Sequence, residues 1–288
     1  MPLHLALFFI LISGGGATAQ TPALSTVTSG MGSLVPRQNQ ITYQAEVLAL
    51  APTWYSPHND TTTTGIDLGS AAHNGTYVGT YAQSQASLIV GAGRAAVKYG
   101  NNGNTGSLFV GPDATHWAGL QSIMSMAAWV KIPCNPTSGQ HWPVVSVYNP
   151  GNTIYWWFDI NGTTSKVRFG CASNSPSFDR SLNSTTSVTN GNTYFLVQTY
   201  YSDGAGWRFK AYVNATVESN GSGSQVNQTI NVASSGIMVS AYYGQSQNAW
   251  NTAGCNGATF QELALWVGRE LVQSEITRLY NVGVTGAP

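Results

Sequence analysis

The stretch Trp207-Arg208-Phe209-Lys210-Ala211-Tyr212-Val213 alternates without a break. Trp207, Phe209, Ala211 and Val213 fall on one side, and Arg208, Lys210 and Tyr212 on the other. A period of two is that of a β-strand with one face on a core and the other toward solvent or a partner. Similar short runs flank it: Met126–Ile132, Pro143–Tyr148, Thr153–Ile160 and Thr193–Tyr200. Clusters of Gly, Asn, Pro and Ser separate them, and Asn161-Gly162 and Asn190-Gly191 are turn dipeptides. In the Thr153 run both faces are apolar. Trp156, Phe158 and Ile160 suit a core, which leaves Tyr155, Trp157 and Asp159 facing outward. One helix stands out, near the end, on Leu271, Ile276, Leu279 and Tyr280, with Ser274 near its start. The pattern predicts an all-β fold: a two-sheet antiparallel sandwich with a short C-terminal helix and an extended N-terminal segment.

Composition narrows the function. Charged residues make up 8% of the 288 residues, against roughly 25% in an average soluble protein. Eleven basic and eleven acidic side chains cancel. A nucleic-acid binder needs clustered Lys and Arg to displace counterions from phosphates, and a polybasic membrane-surface protein needs a similar cluster; this chain has neither. Apolar residues at 42% and aromatics at 11% exclude a disordered chain. The polar surface is therefore built from Ser, Thr, Asn, Gln and Gly. Cys134, Cys171 and Cys255 are widely spaced and form no CxxC pair, so a zinc ribbon or redox motif is absent. They read as buried small hydrophobes or as one disulfide with a thiol left over.

Residues 3–12 (LHLALFFILI) form an apolar run far short of the about 20 residues that span a bilayer. Gly14-Gly15-Gly16 and then Ala17-Thr18-Ala19 follow it, which fits a cleaved signal peptide. No Lys or Arg precedes the run, which fits a retained hydrophobic anchor instead, and both readings stand. Residues 20–40 have a linker's composition. The expected organisation is an N-terminal segment with linker over 1–40 and a globular domain over 41–288.

In order and spacing, several segments resemble the laminin-G-like, concanavalin-A-like jelly-roll domain. Ser125-Met126-Ala127-Ala128-Trp129-Val130-Lys131 is similar to one of its strands, and Gly191–Tyr200 to its central strand. Phe209–Thr216 is similar to its Tyr-Val-Asn-Gly strand and turn, with Ala215 where Gly is usual. Phe260–Trp266, followed by Leu271, Ser274, Glu275, Ile276 and Tyr280, resembles the closing strand and helix, with Gln261-Glu262 where Asp-Glu is usual. Tyr43–Pro52, Trp54-Tyr55, Asp67 and Asn74–Tyr77 resemble the entry to such domains in bacteriophage virion proteins. The short N-terminal segment with Gly14–Ala17 resembles those of phage head or tail accessory proteins.

This resemblance implies a non-enzymatic virion structural protein, a head decoration or fibre or a tail accessory, that adheres to host-surface glycans. Its partners would be other virion proteins, further copies of itself in a homo-oligomer, and host polysaccharide, without nucleic acid or a membrane span. Two alternatives are a secreted or surface-anchored bacterial lectin with a cleaved signal peptide and a degenerate glycoside hydrolase.

Catalytic patterns are missing. Glycosidases need two carboxylates roughly 5 to 10 Å apart, and the related hydrolases carry them as Glu-x-Asp-x-Glu, which does not occur here. Ser202–Trp207 fails the sialidase Asp-box pattern and reads as a hairpin turn. There is no Gly-x-Ser-x-Gly elbow, and His4, His58, His73, His116 and His141 form no metal-ligand pair. No cofactor is expected except calcium, for which Asp113, Asp159 and Asp203 are candidates because the family binds it through Asp and backbone carbonyls. For glycan stacking the candidates are Trp142, Tyr155, Trp157, Tyr242, Tyr243 and Trp250. The same aromatics would equally suit a core or a subunit interface.

Overall fold

The computed structural model describes residues 42–90, 94–100, 106–111, 120–133, 141–148, 154–172, 179–203, 205–223, 230–231, 236–240 and 257–288. The chain divides into units Met1–Gln38 and Asn39–Pro288, and the described residues all belong to the second. The elements begin with helix α1 (Tyr43–Ala49) and strands β1 (Trp54–Ser56), β2 (Thr64–Gly65), β3 (Gly75–Gly79), β4 (Tyr81–Gln85), β5 (Ala96–Tyr99) and β6 (Gly106–Val110). Next come β7 (Leu120–Gln121), β8 (Ile123–Lys131), β9 (His141–Tyr148), β10 (Ile154–Asn161), β11 (Lys166–Ala172) and β12 (Asp179–Ser187). The chain closes with β13 (Thr193–Ser202), β14 (Trp207–Val213), β15 (Thr216–Gly223), β16 (Ile230–Asn231), β17 (Gly236–Val239), β18 (Thr259–Val267) and helix α2 (Gln273–Thr285).

The predicted sandwich is present. One sheet runs β15-β14-β13-β8-β18-β5-β4 with β1 also on β18, and the other runs β12-β11-β10-β9-β17-β6-β3-β2. Among the described residues every strand pairing is antiparallel, as in β13 on β14. Between the sheets lie the residues that the alternation assigned inward: Trp207, Phe209, Ala211 and Val213 from β14, and Trp156, Phe158 and Ile160 from β10. Burial of these side chains drives the assembly, at about 1.5–3 kcal/mol for a large apolar side chain.

The outer face of the first sheet carries a second core. Trp129, Phe195, Val197, Tyr212 and Trp266 are covered there by Tyr43 and Val47 of α1 and by Ile276, Leu279 and Val282 of α2. The Trp129 ring stacks on Phe195 at 4.9 Å and on Tyr280 at 5.9 Å. Gly283 permits this approach, since a Cβ there would come within 2.3 Å of the Trp129 ring.

Two local features differ from the sequence expectation. Helix α1 was not anticipated, because seven residues with apolar contacts at Tyr43 and Val47 give too little periodicity to stand out; the Thr42 side chain caps it by accepting from Ala45 N at 3.2 Å. Ser274 does not cap α2 but lies inside its first turn, and Glu275 reaches back to accept from Val272 N at 3.0 Å. The tight turn between β14 and β15 places Asn214 and Ala215 in the left-handed region, φ 50° and 62°. Asn214 tolerates this and holds the turn by accepting from Phe195 N at 2.9 Å. Among the described residues no helix is long and apolar enough to cross a membrane.

Candidate functional site

The structure moves several predicted site residues away from the surface. Trp142 is a correction: it pairs with Ile160 across β9 and β10, so it shares Ile160's inward face and is fully buried in the core. Trp157 does lie on the outer face of the second sheet, but its ring is laid over Gly170, where a Cβ would come 2.0 Å from it. The ring is only 8% exposed, so it is packing surface rather than an open sugar platform. Tyr155 belongs to β10, and its side chain lies outside the described residues, as do Tyr242, Tyr243, Trp250 and Asp113.

The calcium candidates are engaged otherwise. Asp159 is fully buried and takes a bidentate ion pair from Arg168, with Nε at 3.0 Å from both carboxylate oxygens and Nη2 also donating. Asp203 accepts from Ala205 N and Gly206 N at 3.0 Å each, and these bonds hold its carboxyl below the ordinary range. It fixes the hairpin between β13 and β14, as an Asx turn does. Cys171 is buried in the core, while Cys134 and Cys255 lie outside the described residues. Among the described residues no group of three His, Cys, Asp or Glu side chains is placed to hold a metal ion.

A groove assembles instead on the outer face of the first sheet, from the side of β14 that the alternation left facing outward. Arg208, Lys210 and Tyr212 succeed one another along β14, and Tyr201 of β13 pairs with Arg208. The segment leading into α2 forms the other wall, through Glu270, Leu271, Val272 and Gln273. The walls enclose a cavity of about 270 Å3. The Arg208 guanidinium lies 3.9 Å above the centre of the Tyr201 ring, a cation–π arrangement. Glu270 Oε2 accepts from Arg208 Nη2 at 3.0 Å, which fixes the guanidinium and raises its pKa further.

Lys210 has no ion-pair partner among the described residues. Tyr212, two residues further along the same face, is nearly buried; burial first, then the Glu270 charge, raises its pKa against a hydrogen bond with Thr199 that lowers it. Gln273 holds the α2 wall in place by donating to Ala215 O at 2.8 Å. The groove thus offers an aromatic–guanidinium surface, a free ammonium and a phenol donor. Its one carboxylate, Glu270, is committed to Arg208. Sequence reasoning missed these residues because their signal, polar and aromatic side chains at alternate positions, is that of any solvated strand face.

No family model matches the chain, and no curated protein does. Among solved structures it is similar to the receptor-binding domain of botulinum neurotoxin C/D mosaic serotype, with a TM-score of 0.59 and 14% identity over 83% of this chain and 55% of that one. The botulinum neurotoxin serotype G binding domain gives 0.56 and 13% over 80% and 51%. A sialidase of Trypanosoma rangeli gives 0.55 and 13% over 83% and 33%. The chain therefore spans about half the length of the toxin domains and about a third of the sialidase, and it shares with them the two-sheet β-sandwich fold.

Proposed function

We propose that this chain is a non-enzymatic glycan-binding β-sandwich of a bacteriophage virion, adhering to host-surface polysaccharide through the groove between β14 and α2. The observation that carries the glycan half is the exposed Arg208 guanidinium, backed by the Tyr201 ring and standing beside Lys210 and Tyr212 in the groove. A sugar ring stacks on such a planar surface, and its hydroxyls meet fixed donors. Similar folds support the reading: cell entry of botulinum neurotoxin type C depends on interaction with two ganglioside molecules, and the Trypanosoma rangeli sialidase is described with difluorosialic acid. The engagement of Glu270 by Arg208 supports a binding role over acid–base chemistry.

The virion half rests on the sequence: the phage-like entry segment and the low content of charged residues. The secreted-lectin reading is favoured by Ala17-Thr18-Ala19 after the apolar run. Screening the full chain against host-surface polysaccharides tests the glycan half; retention by the native chain and loss in Tyr201→Ala is expected, and equal retention by both removes the groove. The intact mass of the native protein separates the other two readings, since a chain beginning at Gln20 favours the secreted lectin.

A further inference from the structure

A second cavity, of about 180 Å3, opens on the same outer face at the opposite end of the sheet, lined by Gln85, Ser87, Leu88, Lys131, Thr193 and Thr259. Cross-strand register explains its chemistry. Thr193 of β13 pairs with Lys131 of β8, Lys131 with Thr259 of β18, and Thr259 with Lys98 of β5. These four residues form one row across adjacent strands. Trp129, two residues before Lys131, packs under the helices, whereas Val97 and Tyr99, on either side of Lys98, lie in the inter-sheet core. Both lysines therefore project from the outer face. Two strand spacings separate them, about 10 Å between Cα atoms.

Two like charges so placed repel one another unless something answers them. None of the carboxylates whose side chains are described does. Glu46, Asp60, Asp67, Asp159, Asp203, Glu218, Glu262, Glu270 and Glu275 all hold partners elsewhere. The arginines of the ion pairs are Arg168, Arg208, Arg269 and Arg278, and neither Lys98 nor Lys131 is paired among the described residues. The carbonyls at the C-terminal end of α2, another partner for cations, are already met: Val282 O accepts from Gly286 N, Gly283 O from Val90 N, and Asn281 O from the Thr285 hydroxyl.

The cavity wall is anchored from below by a buried polar side chain. Gln261, fully buried, accepts from Leu88 N at 2.7 Å and from the Ser87 hydroxyl at 3.2 Å, which holds the 87–89 turn over the row. The Thr193 and Thr259 hydroxyls carry no hydrogen bond among the described residues, which leaves two donors beside the ammonium of Lys131.

We infer that Lys98, Lys131, Thr193 and Thr259 form an oxyanion site that takes the carboxylate or sulfate group of an acidic saccharide. The saccharide half rests on the glycan reading above, whereas the oxyanion half does not. The site would give the protein a second contact on the outer face of this sheet, separate from the groove, with the groove reading a sugar ring and this row a charge.

Calorimetric titration of the full chain tests it with three probes: a uronic-acid oligosaccharide, the same oligosaccharide with its carboxyls reduced to alcohols, and inorganic sulfate. The acidic oligosaccharide is expected to bind more tightly than the reduced one. Lys131→Ala and Lys98→Ala should each remove about tenfold of that affinity and flatten its salt dependence, a tenfold change being 1.4 kcal/mol. Lys166→Ala, a cation on the other sheet, should leave it unchanged. Equal affinity for the two oligosaccharides, or lysine variants that bind the acidic one as the native chain does, overturns the proposal. Binding of sulfate alone, sensitive to Lys131→Ala, supports the oxyanion half and overturns the saccharide half. If Tyr201→Ala abolishes binding of the reduced oligosaccharide while the lysine effects persist, both sites stand; if Tyr201→Ala has no effect and the lysine effects persist, the groove reading alone falls.

Discussion

The Tyr55 hydroxyl donates its hydrogen bond to Glu262 Oε2, while Oε1 of the same carboxylate has no partner. Glu262 sits where strand β18 exchanges its neighbour β5 for β1, at a register shift between Gln261 and Ala264. Its backbone there is left-handed, φ 57°, and this turns the side chain into the protein at 1% exposure. Burial raises its pKa to about 7, against the Tyr55 hydrogen bond and the Arg94 charge, which lower it.

A carboxyl with a raised pKa binds its proton more tightly in the folded chain. Its contribution is fully present below the unfolded pKa and is lost as pH rises through about 7. His58 opposes it in the same window. Burial lowers the His58 pKa to about 4, so its contribution is present above the ordinary histidine value and is lost as pH falls toward 4. Between pH about 4.5 and 6.5 the two slopes cancel. Glu262→Gln removes one of them. Denaturant unfolding of the variant is expected to gain on the native chain by on the order of 3 kcal/mol from pH 4.5 to 7.5. A native-minus-variant difference that does not change with pH would show that Glu262 keeps an ordinary pKa.

Gly170 and Trp157 provide a packing test. Alanine at 170 would place its Cβ 2.0 Å from the indole, a conflict that costs about 1–3 kcal/mol or more when the ring cannot move. Removing the ring relieves it, so Gly170→Ala should destabilise the native chain but cost much less in a Trp157→Ala background. The coupling energy of this double-mutant cycle is the readout.

Glu218 joins the edges of the two sheets. From β15 it accepts hydrogen bonds from the backbone N–H and hydroxyl of both Thr185 and Thr186 on β12. Burial works against its charge, but these bonds outweigh burial and hold its pKa below the ordinary carboxylate value. Its contribution is therefore present above the unfolded pKa and is lost as pH falls through the folded one. Glu218→Ala should cost about 1–3 kcal/mol and speed amide exchange at Thr185 and Thr186 ahead of the rest of the sheet.

The groove should separate binding from stability. Arg208 is 46% exposed, and an exposed ion pair contributes about 1 kcal/mol or less. Arg208→Ala is thus expected to leave the unfolding midpoint nearly unchanged while weakening glycan binding at least about tenfold, the effect of a lost charged hydrogen bond. An equal loss of both would make Arg208 a structural residue.

The residue pattern by itself determined the sandwich. Alternation along 207–213 and 154–160 states which side chains share a face, because a strand's period of two is set by its backbone and needs no tertiary information. The turns at Asn161-Gly162 and Asn190-Gly191 follow from local chemistry in the same way. What a face meets was decided only by tertiary structure. Trp142 went inward because β9 registers it against Ile160. Trp157 was covered because β11 places a glycine beneath it. The groove exists because the segment before α2 returns some sixty residues later to stand Glu270 beside Arg208. The lysine row exists because four strands, distant in sequence, align Thr193, Lys131, Thr259 and Lys98. Such register and docking are set by the packing of whole sheets and helices, and no local stretch of sequence carries that information.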